Sequence, residues 1–231
     1  MIAESKKVDD ICSVQTGIIV KCINLSSEEK LKEAAKSVFL KKGFAGTTAR
    51  DIADAAGMNI ALTNYYFRSK EKLFVEIFKD LFSLYFTSTI KILDKPTTLK
   101  EKIIDIIEED YQMMMAEPNL ILFLMNEIHR DCDSLLPEIS KYKDLLNRKL
   151  TVHIEEEVKK GGMRNIEVRH LLPIIIGSLQ FISVGKNMHM KMHNMTETEF
   201  KNFTEQHKNH VIGMVTNYLF VSSCQSDKIL Q

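Results

Sequence analysis

The sequence predicts an all-α chain. It has 231 residues, of which 45% are hydrophobic and 27% are charged, a balance that is sufficient for a packed globular core. Only 9 Gly and 4 Pro interrupt it, and Trp is absent. Apolar residues recur at helical spacing, whereas the period-two alternation of a half-buried strand is rare. We therefore expect short helices near the N-terminus, joined by a long helix to a C-terminal helical bundle.

The chain begins with an extension of mixed charge. Residues 1–25 contain one short apolar run, and we expect them to be disordered or loosely docked. A capping box follows at Ser26 and Glu29 and predicts a helix that ends at Gly43. The apolar positions that share one face of this helix are Leu31, Ala34, Ala35, Val38 and Phe39.

Residues 47–70 read as two short helices joined by a tight turn. Thr48 and Asp51 form a second capping box, and Gly57 supplies the positive φ that a tight turn needs. Ala53 is small, so a helix predicted at 59–66 can pack closely against the first. This pattern is a helix-turn-helix, whose second helix typically enters the DNA major groove. The predicted fold is thus an N-terminal three-helix helix-turn-helix domain, a long connecting helix and a C-terminal helical bundle.

Helical signals continue to the end of the chain. Ser69 caps the long connecting helix, which we expect to reach Asp94 because Pro96 follows. Pro137 suits the first turn of a later helix, and Pro173 predicts a kink in another. The remaining helices are predicted at 98–116, 119–130, 137–160, 166–189 and 196–221.

The block 31–78 resembles the DNA-binding domain of TetR-family transcriptional regulators. The matching pieces, in fixed order, are Lys42-Gly43-Phe44, Thr47-Thr48, Asp51-Ile52-Ala53, Ala56-Gly57, Asn64-Tyr65-Tyr66-Phe67 and Ser69-Lys70-Glu71. The resemblance implies a ligand-responsive regulator, most often a repressor, that binds a pseudo-palindromic operator in double-stranded DNA as a homodimer. It divides the chain into an extension at 1–25, a DNA-binding domain at 26–72, a ligand-binding and dimerisation domain at 73–222, and a tail at 223–231.

The resemblance also implies a set of DNA contacts. Ile60, Ala61 and Asn64 would face base edges, because an amide can bond adenine and an apolar tip can meet a thymine methyl. The rest of the predicted interface is Thr48, Arg50, Asn59, Tyr65, Tyr66 and Lys70, mostly against phosphates, with Lys70 near the free N–H groups of a helix N-terminus. The alternative is a structural helical hairpin with solvated polar residues.

One position departs from the family pattern. Thr63 stands where members usually carry an apolar residue that faces the domain core, so its hydroxyl needs a partner. We expect Leu62 to share the packing role. No side chain from Met58 to Tyr66 is charged, and we therefore expect apolar and amide contacts to dominate base readout.

By resemblance, the C-terminal helices would enclose a pocket for an unknown small-molecule effector. The candidate lining residues are Phe82, Phe86, Tyr111, Met115, Phe123, His129 and Gln180. Methionine and aromatic side chains suit an adaptable pocket, but the same spacing is typical of a plain core. In the family, the last two long helices form a dimer interface. Their apolar faces here are Leu171, Leu172, Ile175, Leu179 and Ile182, and Val211, Met214, Val215, Tyr218 and Leu219.

Metal, cofactor and disulfide chemistry have little support. His189 and His193, in the Met- and His-rich stretch 188–195, are four residues apart, but no Cys or carboxylate completes a ligand set. A solvated connection is the alternative, and we predict no metal and no cofactor. The four cysteines, Cys12, Cys22, Cys132 and Cys224, lie far apart and read as reduced thiols.

Charge and motifs bound the function further. The net charge is zero, and residues 26–80 carry 10 Lys and Arg against 8 Asp and Glu, so DNA binding would depend on local phosphate contacts. No run of 18 apolar residues and no signal-peptide core is present, so we expect a cytoplasmic protein without a membrane span. Catalytic motifs are absent, and we predict no enzyme. The alternative function is an all-α protein that binds a small molecule or a metal without any DNA function.

Overall fold

The computed structural model describes residues 26–66 and 69–220, apart from the side chain of Tyr66. The predictions for the extension 1–25, for Phe67 and Arg68, for Cys12, Cys22 and Cys224, and for the tail lie outside these residues. Within the described part every regular element is a helix, which confirms the all-α fold. The helices are α1 (Ser27–Lys42), α2 (Ala49–Ala56), α3 (Ile60–Tyr66), α4 (Lys70–Leu93), α5 (Leu99–Ala116), α6 (Pro118–Arg130), α7 (Cys132–Lys159), α8 (Val168–Val184), α9 (Lys186–Met192) and α10 (Glu197–Leu219).

Five of the predicted helix starts are confirmed by their caps. In each of four helices, a Ser or Thr side chain accepts a backbone N–H while the carboxylate three residues on accepts the cap residue's own N–H. The pairs are Ser26 with Glu29, Thr48 with Asp51, Thr98 with Glu101 and Thr196 with Glu199. Ser69 caps α4 by accepting the N–H of Lys72. Local sequence therefore sets where α1, α2, α4, α5 and α10 begin.

A first hydrophobic core joins the helix-turn-helix to the C-terminal helices. It is built from α1, α2, the first half of α4, α6 and the start of α7. The ring of Phe74 lies 5.2 Å from Phe39, 4.8 Å from Phe44 and 6.0 Å from Phe123, measured between centroids. Because Phe123 belongs to α6, the DNA-binding part and the remainder share one packed interior.

A second core lies in the C-terminal bundle. It joins the end of α4 with α5, α7, α8 and α10, and Ile103 and Ile107 of α5 are fully buried in it. The connecting helix α4 therefore contributes its first half to one core and its last turn to the other. This double packing makes α4 a mechanical link between the two regions.

The predicted start of α7 was wrong. The helix begins at Cys132, so that Pro137 lies inside it and not in its first turn. The side chain of Asp131 accepts the backbone N–H of Ser134 over 3.3 Å and caps the helix there. The cap decides the start, and proline is tolerated near it.

The predicted single helix at 166–189 was also wrong. It is two helices, α8 and α9, bent by 64° at Gly185, while Pro173 lies inside α8. A Cβ at Gly185 would meet the Phe181 carbonyl oxygen at 3.0 Å and the His189 ring at 3.2 Å, so a larger residue at this bend would require these neighbours to shift by a few tenths of an ångström. Among the described residues, no single helix is long and apolar enough to cross a membrane, although the bent pair of α8 and α9 taken together meets that length and composition.

Candidate DNA interface and effector region

The turn between α2 and α3 sets the angle of the second helix. Gly57 adopts φ +64°, in the left-handed region, and its N–H donates to the carbonyls of Ala53 and Asp54. The N–H of Met58 also donates to Ala53, over 2.9 Å, and Ala53 is buried. These bonds confirm the predicted turn and hold the start of α3 against the end of α2.

The start of α2 is fixed to the end of α1 by charge. Asp51 accepts a bond of 2.7 Å from the Lys42 ammonium and a bond of 2.8 Å from the Thr48 N–H. The Lys42 bond and then the Thr48 bonds lower the pKa of Asp51 to about 2. Asp51 therefore stays ionised at neutral pH, and Arg50 beside it is exposed.

The outer face of α3 is open to solvent. Ile60 is 40% exposed and Tyr65 is 76% exposed, and Ala61 and Asn64 are exposed between them. Asn59 caps the helix, since its side-chain oxygen accepts the Ala61 N–H over 2.8 Å. The predicted base-facing residues therefore share one accessible surface, which we call the α3 face (Ile60, Ala61, Asn64 and Tyr65).

The inner face of α3 packs through Thr63, the residue that departs from the family pattern. Thr63 is only 3% exposed, and its hydroxyl donates to the Asn59 carbonyl over 3.4 Å, so the expected partner is present. Leu62 is 37% exposed, and the prediction that it shares the packing role was wrong. The Thr63 methyl group and the hydrogen bond within α3 are sufficient to pack this face, and Leu62 lies at the surface.

Lys70 points into the protein. Its ammonium donates to the carbonyls of Phe44 and Thr47 over 3.0 and 2.9 Å and lies 4.1 Å from the centre of the Phe44 ring. The prediction placed this charge on a phosphate. In the structure it instead joins the start of α4 to the loop between α1 and α2.

A carboxylate on α6 completes this junction, and sequence reasoning missed it. Glu127 is only 4% exposed; its two oxygens accept the Phe44 N–H over 2.8 Å and the Arg130 Nε over 2.6 Å. The Arg130 guanidinium also lies 4.4 Å from the centre of the Phe44 ring, which Lys70 contacts as well. The Glu and Arg spacing of three residues on α6 was the only local signal, and it cannot name Phe44 as the partner.

Comparison with known proteins supports the same assignment. A family model described as bacterial regulatory proteins of the tetR family matches residues 31–77, the span from α1 into α4 that holds the α3 face. Residues 31–77 therefore form a DNA-binding domain of the tetR family. The resemblance drawn from the motifs is confirmed, and DNA binding is the function of its helix-turn-helix.

Relatives and solved structures of the TetR family extend the match. The transcriptional repressor KstR2 of Mycolicibacterium smegmatis is 27% identical over 140 residues, which are 60% of this chain and 68% of that protein. The fatty acid metabolism regulator of Bacillus subtilis is 24% identical over 152 residues, 64% of this chain and 76% of that protein. A TetR-family regulator from Marinobacter aquaeolei superposes with a TM-score of 0.64 at 14% identity, over 85% of this chain and 96% of its own. These relatives are transcriptional regulators.

The predicted effector-pocket residues of this chain do not line one cavity. Phe123 borders a groove of about 360 Å³ beside the end of α1, whereas Met115 borders a cleft of about 440 Å³ beside the start of α10. Phe82 and Phe86 pack against each other in the core, with centroids 4.5 Å apart. His129 is exposed on α6, so its predicted inward position was wrong.

Two predicted residues do lie near a polar cluster in the interior. Gln180 of α8 is buried and donates to the Tyr85 hydroxyl oxygen over 2.6 Å, and Tyr85 in turn donates to Asp110 over 2.5 Å. Tyr111 adjoins Asp110 in sequence, and its ring lies 5.0 Å from the Lys208 ammonium. Asp110 was not predicted, because one acidic residue among Glu108, Glu109 and Asp110 gives no sign of burial.

The outer faces of α8 and α10 are apolar. Ile174 is 49% exposed, Phe181 64%, Met214 66% and Tyr218 56%. Between the two helices runs a groove of about 280 Å³ lined mainly by their aliphatic side chains. A Cβ at Gly177 or Gly213 would meet nothing within 4 Å, so another surface can approach closely at both positions. We call this surface the α8–α10 face (Ile174, Gly177, Phe181, Gly213, Met214 and Tyr218).

The Met- and His-rich stretch forms the short helix α9. The rings of His189 and His193 are nearly parallel with centroids 6.3 Å apart, and the Phe203 ring lies 5.8 Å from His189. Residues 26–66 and 69–220 contain no group of three His, Cys, Asp or Glu side chains arranged to hold a metal ion. Cys132, at the start of α7, is an exposed free thiol.

Proposed function

We propose that this protein binds a pseudo-palindromic operator as a homodimer and represses transcription until a small-molecule effector binds its C-terminal helices. The observation that supports this most directly is the α3 face, an uncharged and exposed surface held at a fixed angle by the Gly57 turn. Its Asn64 can bond an adenine edge and its apolar side chains can contact thymine methyl groups. Thr48 and Arg50, exposed at the start of α2, would contact the flanking phosphates with Tyr65.

We propose a narrower set of phosphate contacts than the family resemblance implies. Lys70 already bonds two carbonyl oxygens, so its role is to hold the α1–α2 loop. Asn59 bonds its own helix through its oxygen, which leaves the amide N–H₂ for DNA.

The α8–α10 face is the proposed dimer contact. Large apolar side chains exposed together on neighbouring helices mark an association surface, and a two-fold axis lets the same surface serve both copies. Pairing α8 and α10 with their copies would form a four-helix arrangement. The two α3 faces would then need a separation of about 34–36 Å to occupy successive major grooves.

The effector would act through a population shift between two dimer geometries. FadR of Bacillus subtilis was solved in complex with stearoyl-CoA, and it superposes on this chain with a TM-score of 0.61 at 18% identity, over 81% of this chain and 97% of its own. A regulator from Saccharomonospora viridis was solved with choline, and its TM-score is 0.63 at 15% identity. Here α4 packs in both cores and Glu127 bonds the α1–α2 loop, so movement of α4 or α6 would reorient the α3 face. We also propose that the protein is cytoplasmic, because its operator DNA lies there.

The test is a binding-site selection from random duplex DNA with the purified full chain, combined with light scattering for mass. We expect an enriched palindromic site, a dimer mass, and affinity that falls steeply with salt. A variant with Asn64→Ala and Tyr65→Ala should lose the enrichment, whereas Glu155→Gln on the exposed face of α7 should keep it. A monomer that enriches no sequence would overturn the proposal in favour of a small-molecule-binding protein without DNA function.

A further inference from the structure

A carboxylate lies buried where α4, α5 and α8 meet. Asp110 is 8% exposed, and its Oδ1 accepts bonds from the Tyr85 hydroxyl over 2.5 Å and the Gln180 amide over 3.4 Å. Its Oδ2 is buried and has no hydrogen-bond partner among the described residues. A carboxylate oxygen left without a donor in the interior is unfavourable, so a donor that reached this atom would stabilise it.

The charge of Asp110 is also uncompensated within the described part of the chain, where no ion pair includes it. Lys208, on α10, lies 2.7 and 2.9 Å from the two oxygens of Glu108 and is thus committed to another carboxylate. Burial raises the pKa of Asp110 to about 6, which still leaves the group mostly ionised at neutral pH. A cation that reached Oδ2 would supply both a donor and the missing positive charge.

A cleft borders the same two helices, α5 and α8, that carry Asp110 and Gln180. The cleft of about 440 Å³ between α5, α8, α9 and the start of α10 is bordered by Met114 and Ser183. Its charged side chains are Lys186, which pairs with Glu197 over 2.6 Å, and Lys201. Met114 follows Asp110 by four residues on α5, and Ser183 follows Gln180 by three on α8, so each lies about one helical turn, some 5–6 Å, from the polar cluster. Met114 is buried and borders the cleft, and an unbranched thioether side chain changes rotamer readily.

We propose that the effector is an organic cation whose protonated amine donates to Oδ2 of Asp110 and whose apolar body lies in the cleft beyond Met114. The ring of Tyr85, whose hydroxyl donates to Asp110, lies 4.9 Å from the ring of Phe86, and aromatic rings beside the carboxylate favour a cation. The inference rests on the effector-binding role proposed above and specifies its chemistry. It excludes a carboxylate or phosphate group at this position, because the buried negative charge repels it.

The test compares three probes of equal length that differ only in head group: hexylammonium, 1-hexanol and hexanoate. Calorimetric titration at pH 7.5 with the full-length protein should give a dissociation constant below about 1 mM for hexylammonium. Binding should be about tenfold weaker, or more, for hexanol and weakest for hexanoate. Asp110→Asn should reduce the preference for the ammonium to less than about threefold.

Asp105→Asn is the matched control, since it removes a carboxylate on the same helix that pairs with Lys95 at 2.6 Å on the surface. It should leave the ammonium preference unchanged. The inference would be overturned by equal binding of all three probes, by a preference for hexanoate or by no binding of hexylammonium. An ammonium preference that survives in Asp110→Asn would also overturn it. Enrichment of an operator by the same preparation would show that such a failure concerns the effector class and not the regulatory function.

Discussion

The backbone N–H of Phe44 donates a hydrogen bond of 2.8 Å to Glu127, 83 residues further along the chain. This bond connects the loop before α2 to α6, and a Cβ on the preceding Gly43 would lie 3.0 Å from the same carboxylate oxygen. The orientation of the helix-turn-helix therefore depends on a residue of the C-terminal bundle.

Removing this carboxylate should loosen the DNA-binding part. We expect Glu127→Ala to lower the free energy of unfolding by about 1–3 kcal/mol, because the Phe44 N–H and Arg130 lose their acceptor. Hydrogen exchange at residues 43–47 should accelerate more than exchange in α8. Glu156→Ala, at an exposed position of α7, is the control, and equal protection of the loop in both variants would contradict the anchoring role.

Asn64 should set preference at one base pair. Asn64→Ala should relax discrimination there by about 1–3 kcal/mol while other positions keep theirs, as read by repeating the binding-site selection. Asn202→Ala, an exposed asparagine near the start of α10, serves as the control. An unchanged site profile would remove Asn64 from base readout.

Lys70 should stabilise the fold and should not contact a DNA phosphate. Lys70→Met should lower the melting temperature, because two carbonyl bonds and the contact with Phe44 are lost. The slope of log affinity against log salt should stay the same in this variant. Lys72→Met, at an exposed position two residues further along the same helix, is the comparison. A slope smaller by about one for Lys70→Met would instead identify a phosphate contact.

The ionisation of Asp110 should lower the free energy of unfolding as pH rises. Desolvation raises its folded pKa from 3.8 to about 6, while the Tyr85 and Gln180 bonds oppose this; the neighbouring Tyr85 stays neutral because its own pKa is raised by burial. The folded state therefore holds this proton more tightly than the unfolded state. Its favourable contribution, at most about 3 kcal/mol, is present below pH 3.8 and lost as pH rises through 6.

Urea unfolding at several pH values checks this. Asp110→Asn should gain stability relative to the natural chain between pH 4 and pH 8, whereas Asp105→Asn should follow the natural chain across this range. A pH-independent difference for Asp110→Asn would show that the buried carboxylate is not the titrating group.

A charge on the α8–α10 face should separate the dimer. Phe181→Glu should shift the mass measured by light scattering to that of a monomer, because the charge would be buried without a partner. Val152→Glu, on α7 and 53% exposed, should leave the mass unchanged. A dimer that persists in Phe181→Glu would mean that another surface forms the contact.

Local sequence determined the helices, their caps and the family of this protein. The four capping boxes, the Gly57 turn and the motif block 31–78 act over a few residues, so they are legible in the chain itself. The face of α3 follows from the same local order. The sequence alone gave the wrong boundary near Pro137, where Asp131 caps the helix earlier, and at Gly185, where α8 ends.

Tertiary structure alone decided which polar side chains are buried and what they bond. Glu127 and Asp110 look like surface carboxylates in the sequence, and Lys70 looks like a phosphate contact. Their roles depend on partners 83, 25 and 26 residues away, which helix packing brings within hydrogen-bond distance. Periodicity reports which face of a helix is apolar, but a single polar residue near the edge of that face is buried or exposed according to the neighbouring helix.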